Sequence, residues 1–205
     1  RPQLFKNIYV PSSPGDSWCA IGAALYCYFN YFEQSSENTF AIQNQSAYLG
    51  PDVKEEEIKI LKRQFEAVAH EKDFDTLKQE IAQNLSEGKV VAWVQGRMEF
   101  GPRALGNRSI LALPSIPQMQ SKLNIKIKFR EDFRPFAPVL KAETADKYFK
   151  LPQNAHYMEW IVELQDEFKI PLPNNFQSLS LKEKLDTPRS QFQAVVHTDY
   201  TSRPQ

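Results

Sequence analysis

The sequence has no net charge, only two cysteines and three histidines, and no apolar run approaching the length needed to cross a bilayer. Each shortage excludes something. Cys19 and Cys27 lie eight residues apart in what reads as one helix, so their Cα atoms are about 12 Å apart at about 1.5 Å per residue, too far for a disulfide. They are expected to be reduced core thiols in a cytoplasmic protein. His70 and His156 have no partner in the sequence and read as surface or packing residues. His197 ends an apolar stretch, where a structural role and a ligand-binding one stand equally. No secretory signal pattern opens the chain. With 41% hydrophobic and 24% charged residues over 205 positions, the composition is that of an ordinary globular protein. The length can bury a core as one domain, or as one domain and a piece of another.

Glycine is also scarce, with seven in the chain, and three of them fall in one stretch, QGRMEFGPRALGNRSILALP (95–114). Gly96, Gly101 and Gly106 recur every five residues, interleaved with Arg97, Arg103 and Arg108; Glu99 is the stretch's only acid. The zero net charge hides an asymmetry. Residues 97 to 134 hold eight basic side chains and three acids, a net of +5, and the remainder carries −5. A local positive field on a neutral chain points to a defined anionic ligand, whereas a general nucleic-acid binder is more often basic throughout. Glycine after a strand lets backbone N–H groups approach an anion, and arginine adds a forked donor. The spacing matches neither a Walker loop nor the dinucleotide fingerprint. Taken alone, the stretch reads equally as a glycine-rich turn with solvated arginines.

Downstream, KLNIKIKFREDFRPFAP sets Lys122 and Lys126 on one helical face. Lys128 reads as a surface charge. Arg134 is enclosed by Phe133, Pro135, Phe136 and Pro138, and is expected to be buried against a charged partner.

The remaining pattern predicts a mixed set of elements. FKNIYV (5–10) reads as a strand, followed by the turn PSSPGDS and the helix WCAIGAALYCYFN, with small faces at Gly22, Ala23 and Ala24. A polar linker runs from about 33 to 46. Helices are expected over 53–69, from 74 to 85 with Gly88 as the C-terminal glycine, over 117–127 with Met119, Leu123 and Ile127 on one stripe, and over 142–149. KVVAWVQ (89–95) reads as a buried strand, RSILALP (108–114) as another ended by Pro114, YMEWIVEL (157–164) and FQAVVHTDY (192–200) as two more. FRPFAPVL (133–140) is extended because of its prolines. Residues 169–190 read as a long surface loop. The mixture without regular alternation favours an α+β or mixed α/β fold.

These residues carry a resemblance. QGRMEFGPRALGNRSILA followed by KLNIKIKFREDFRPFAPVL is similar to the signature of the NodU/CmcH-type O-carbamoyltransferases, in their C-terminal, YrdC-like domain. AVVHTDYTSRPQ resembles that domain's His-x-Asp-Gly-Thr-x-Arg-x-Gln segment, and NIYVPSSPGDSWCAIGAALY resembles the last strand, turn and helix of the family's actin-like N-terminal domain. The resemblance implies three parts: 1–33 as the end of the actin-like domain, 34–52 as a linker, and 53–205 as a YrdC-like twisted open sheet with flanking helices. It implies a chain short at both ends, lacking most of the actin-like domain and stopping just inside the last motif.

The reaction implied is conversion of carbamoyl phosphate and ATP, with Mg2+, to a carbamoyl-adenylate. The carbamoyl group then passes to a hydroxyl of a sugar, antibiotic or nodulation-factor acceptor. Site residues carried over are Arg97, Arg103, Arg108 and Ser109; Lys122, Asn124, Lys126, Arg130 and Arg134; and His197, Asp199 and Arg203. Arg103 and Arg134 are those expected to carry catalysis, and Asn124 and Ser109 to orient the anions. Asp16 matches a Gly-Asp turn that helps hold iron or another divalent metal in the actin-like domain. Without the matching upstream histidines it reads as a helix N-cap in a partial metal site.

Two departures stand out: Leu113, Pro114, Ser115 and Ile116 follow where the family continues Asp-Pro-Arg, and Tyr200 stands where it has glycine. Two other readings remain: a non-catalytic RNA-binding module, opposed by the zero net charge and the lack of an RNP-type aromatic run, and an assembly piece whose N-terminal strand and helix dock on another domain. Neither membrane nor nucleic acid is an expected partner.

Overall fold

The computed structural model describes residues 8–35, 46–66, 68–151 and 155–205. Its class is α+β, as expected. Helix α1 (Asp16–Tyr26) continues into a π-helical turn, Cys27–Tyr31. Helices α2 (Glu55–Gln64) and α3 (Phe74–Ser86) precede strand β1 (Val91–Val94), which pairs antiparallel with β2 (Arg108–Leu111), Val91 opposite Leu111 and Val94 opposite Arg108. Helix α4 (Met119–Leu123) runs into a second π-helical turn, Asn124–Lys128. Helix α5 (Ala145–Tyr148) leads into β3 (Phe149–Lys150), which pairs antiparallel with β4 (Val162–Leu164), and β4 with β5 (Thr201–Ser202). Helix α6 (Leu181–Asp186) lies between β4 and β5 in sequence.

Local chemistry explains several boundaries. Asp73 caps α3 by accepting from the Thr76 N–H at 2.9 Å, and Gly88, at φ 77°, ends it in the left-handed conformation the sequence predicts. Ser180 and Glu183 form a reciprocal capping box on α6. The second π-helical turn ends at Phe129, whose φ of 49° lets the Arg130 N–H reach back to the Asn124 carbonyl at 3.0 Å.

Two small cores hold the chain. Phe149, Val162, Leu164, Val195 and Val196 form one; Met119, Leu123 and Ala194 form the other. Phe136 packs against both, and its N–H donates to the Ala194 carbonyl at 2.9 Å. The 133–140 segment is extended, as its prolines require. It is tied to the chain end by backbone bonds between Leu140 and Gln205 and between Gln205 and Pro138.

Several expectations are corrected. Residues 8–10 form no strand, and 5–7 lie outside the described residues. Both cysteines are free but exposed, because neither α1 nor the π-helical turn after it buries a residue; they are not core thiols. The 89–95 strand is not of the buried type: in a two-stranded sheet its residues alternate half-buried and exposed. Only Val162–Leu164 of the 157–164 stretch is strand, since Met158 adopts φ 60°. The 192–200 stretch is a 3-10 turn (Gln193–Val195) and a tight turn. Its apolar run signals burial of Val195 and Val196, not pairing in a sheet.

The 169–190 stretch is not a surface loop either. It holds α6, buried Phe176 and Ser190, and Arg189, which is 1% exposed. The Arg189 guanidinium donates to the carbonyls of Val196 (2.9 Å), Leu185 (3.3 Å) and Gln193 (3.4 Å), with Gln120 Oε1 at 3.5 Å. No carboxylate pairs with it among the described residues, and burial lowers its pKa. Ile127 is 36% exposed while Met119 and Leu123 are buried, because the π-helical turn breaks the 3.6-residue stripe.

Candidate anion site

The glycine and arginine stretch is the loop of the β1–β2 hairpin. Gln95 and Asn107 close it, the Gln95 N–H donating to the Asn107 carbonyl at 3.0 Å. Residues 47–51 run beside it: Gly50 donates to Met98, Met98 to Pro51 and Phe100 to Ala47 through their backbones. Gly101, at φ 122°, faces the 11–17 turn so closely that a Cβ would lie 2.1 Å from Ser13 Oγ.

The loop's N–H groups do face an anion, and the anion is the protein's own. Glu99 is buried, and its Oε1 accepts from the N–H groups of Leu105 (2.7 Å), Asn107 (2.9 Å) and Arg108 (3.1 Å). Gly106 N–H donates to Ser109 Oγ at 2.9 Å. Burial pushes the Glu99 carboxyl up, but these bonds together outweigh it and hold the carboxyl below the usual glutamate value.

The three arginines divide. Arg97 turns to the chain, donating to Gly50 O at 3.0 Å and Leu49 O at 2.8 Å. Arg108 Nη1 donates to the carbonyls of Gln95, Gly96 and Asn107. Both brace the loop. Arg103 is exposed, and its charge acts on Arg203, a hundred positions later in sequence. Arg203 Nε donates to Met158 O at 2.9 Å, and burial and then the Arg103 charge lower its pKa, with Glu159 opposing. Arg203 thus feels both a like charge from Arg103 and an opposite one from Glu159.

A second basic cluster surrounds Asn124, which is completely buried. Its amide donates to the carbonyls of Asp132 (3.1 Å) and Arg134 (2.8 Å) and its Oδ1 accepts from Arg130 Nε (2.7 Å). Asn124 therefore holds the 130–134 segment in place. Arg130 also lies 5.0 Å from the Phe136 ring centroid. Its pKa is lowered by burial and then by Arg134, with Glu131 opposing. Arg134 has the charged partner expected of it, Glu131 at 3.0 Å, but is half exposed, not buried. Lys122 caps the carbonyl of Gly88 at 3.1 Å. Together with Lys126, Ser121, Gln118, Pro117 and Ile125 it lines an open groove of about 270 Å3.

His197 and Asp199 share the tight turn before β5. Asp199 Oδ1 accepts from the Thr201 N–H (3.0 Å) and Thr201 Oγ1 (2.6 Å). Burial raises its pKa, while the Thr201 bonds and His197 pull it below the usual aspartate range. His197 is exposed; its N–H donates to Thr201 O at 2.9 Å. The structure therefore groups Arg130 and Arg134 around Asn124 and His197 with Asp199, while Arg103 acts on Arg203 through its charge. Among the described residues no hydrogen bond or ion pair joins the Arg103 and Arg134 groups.

The family description "Carbamoyltransferase C-terminus" matches residues 82–205, which contain all three groups. The chain belongs to the carbamoyltransferase C-terminus family. It is 41% identical over 207 residues to an uncharacterized protein of Synechocystis, covering all of this chain and 34% of that protein. It is 33% identical over 208 residues to nodulation protein NolNO of Sinorhizobium fredii, covering 27% of it. Over 146 residues it is 40% identical to nodulation protein U of Rhizobium fredii, 71% of this chain and 22% of that protein. The chain thus spans about a third or less of the length of these relatives.

In this carbamoyltransferase C-terminal chain, Asp16 is not the N-cap. Gly15 is, with no side-chain cap, and Asp16 is the first helical residue. Among the described residues no three histidine, cysteine, aspartate or glutamate side chains converge, so Asp16 has no companions for a metal centre here. No helix among them is long and apolar enough to cross a membrane. Sequence reasoning missed the roles of Glu99 and Arg189. Glu99 had a signal, as the lone acid in a glycine-rich loop. Arg189 had none, sitting in a Pro-, Asn- and Ser-rich stretch.

Proposed function

We propose that the chain is the part of an O-carbamoyltransferase that binds carbamoyl phosphate and ATP. The family match over residues 82–205, the segment that holds Arg103, Arg130, Arg134 and Arg203, carries this reading. Two arginines from distant segments, one half-buried, are set for a multiply charged ligand, and Arg130 and Arg134 offer a second pair. Carbamoyl phosphate and the nucleotide are polyanions, and displacement at phosphorus needs charge stabilised on the phosphoryl oxygens. In this reading water releases phosphate from carbamoyl phosphate to leave carbamate, whose oxygen bonds to the α-phosphorus of ATP and expels pyrophosphate, giving a carbamoyl-adenylate. An acceptor hydroxyl of a sugar, antibiotic or nodulation-factor-like molecule then bonds to the carbamoyl carbon, and AMP leaves. Any Mg2+ comes with the nucleotide, held by its phosphates. Acceptor binding belongs to an actin-like domain of the whole protein.

The test is carbamoyl-phosphate-dependent ATP–pyrophosphate exchange in the whole protein. Arg103→Ala and Arg134→Ala are each expected to abolish it while circular dichroism stays unchanged. Unchanged exchange in both variants overturns the reading. A steep loss of RNA binding with salt, with no stoichiometric uptake of carbamoyl phosphate, would favour the nucleic-acid alternative instead.

A further inference from the structure

We infer that Glu99 is a positioning residue for the anion site, acting through Arg103. The inference rests on the reading of Arg103 and Arg203 as that site. Four successive N–H groups, Leu105 to Arg108, are consumed inside the loop, three by Glu99 Oε1 and one by Ser109 Oγ. The loop is therefore not a backbone cradle waiting for phosphate; its own carboxylate fills the cradle. What remains to meet a ligand is the Arg103 side chain, two residues before the first clamped N–H.

Leu105 is pinned from both sides. Its N–H goes to Glu99 at 2.7 Å, and its carbonyl accepts from Tyr48 Oη at 2.7 Å. On the other flank Gly101 rests against Ser13. Arg103 thus rises from an arch held at 101 and 105, and its charge is felt at Arg203. A buried carboxylate that accepts three backbone bonds is costly to disturb, so the arch is fixed before ligand arrives.

The test uses inorganic pyrophosphate as probe, with affinity measured by calorimetry on the folded full chain. Loss of one charge-assisted contact is worth roughly tenfold or more, so Arg103→Ala is expected to weaken binding by at least that factor. Glu99→Ala is expected to weaken it comparably, and the Glu99→Ala/Arg103→Ala double variant to bind no worse than Arg103→Ala alone. Glu99→Gln, which keeps an acceptor oxygen, recovers most of the affinity. Should Glu99→Ala fail to fold, Tyr48→Phe removes the other clamp on Leu105 and is expected to show the same non-additivity with Arg103→Ala. If Arg103→Ala and Arg203→Ala weaken binding but the Glu99 and Tyr48 variants do not, or their losses add to that of Arg103→Ala, the anion site stands and the positioning role falls. If neither arginine variant changes pyrophosphate affinity, the site and the role fall together.

Discussion

Tyr200 occupies a left-handed backbone position, φ 64°, where the family pattern has glycine. A residue with a Cβ pays about 1–2 kcal/mol there. The side chain offsets this: Tyr200 Oη donates to Ile170 O at 2.8 Å, and Lys169 Nζ lies 5.4 Å from the ring centroid. The substitution is tolerated because the ring ties the turn to a neighbouring segment. Glu99 gives a pH dependence of definite sign. Its folded carboxyl titrates below the unfolded value of about 4.3. The stability it supplies is therefore complete above that unfolded value and is lost as pH falls through the folded one. Glu99→Gln does not titrate, so its urea midpoint should decline less steeply than the wild type's as pH falls below about 4.3. Equal slopes would show that the bonds to Glu99 do not distinguish its two protonation states.

The β1–β2 hairpin loop depends on close approach at Gly101. A methyl there meets Ser13 Oγ at 2.1 Å and Ser13 Cβ at 2.9 Å, on a backbone at φ 122°. Gly101→Ala should cost about 1–3 kcal/mol by overpacking, in addition to the backbone strain. Denaturant midpoints would measure it, and Ser13→Gly should recover part of the loss by removing both atoms; purely additive losses would mean the contact is not the cause. Elements with strong local signals were legible: α3 with its Gly88 stop, and the RSIL strand. Elements shaped by tertiary context were not. AVVH looked like a strand because it is apolar, yet Val195 and Val196 enter the core from a 3-10 turn. The short α6 was hidden in a Pro- and Ser-rich stretch, although its Ser180–Glu183 box was there to be read.

Across the molecule, the two cores are joined through Phe136. Phe136→Ala is expected to cost about 3 kcal/mol and to split one calorimetric unfolding transition into two. A single, merely lower transition would mean that the backbone bonds between 136–140 and 194–205 couple the cores without it. At this scale the site was readable as a family pattern but not as geometry. The motif named Arg97, Arg103 and Arg108 alike, and only the folded chain separates the two that brace carbonyls from the exposed Arg103. Likewise the motif named Asn124 as a residue to orient a ligand, and only the folded chain shows that it holds the peptide that carries Arg130 and Arg134.

Helix α1 buries none of its residues, and its surroundings have a chemical peculiarity: no lysine or arginine occurs between Lys6 and Lys54. Trypsin therefore leaves that whole region, with both exposed thiols, as one peptide, and cannot tell Cys19 from Cys27 after alkylation. Chymotrypsin can, because exposed Tyr26 stands between them. The face that α1 leaves open is thus best read by a protease that cuts after aromatic rings.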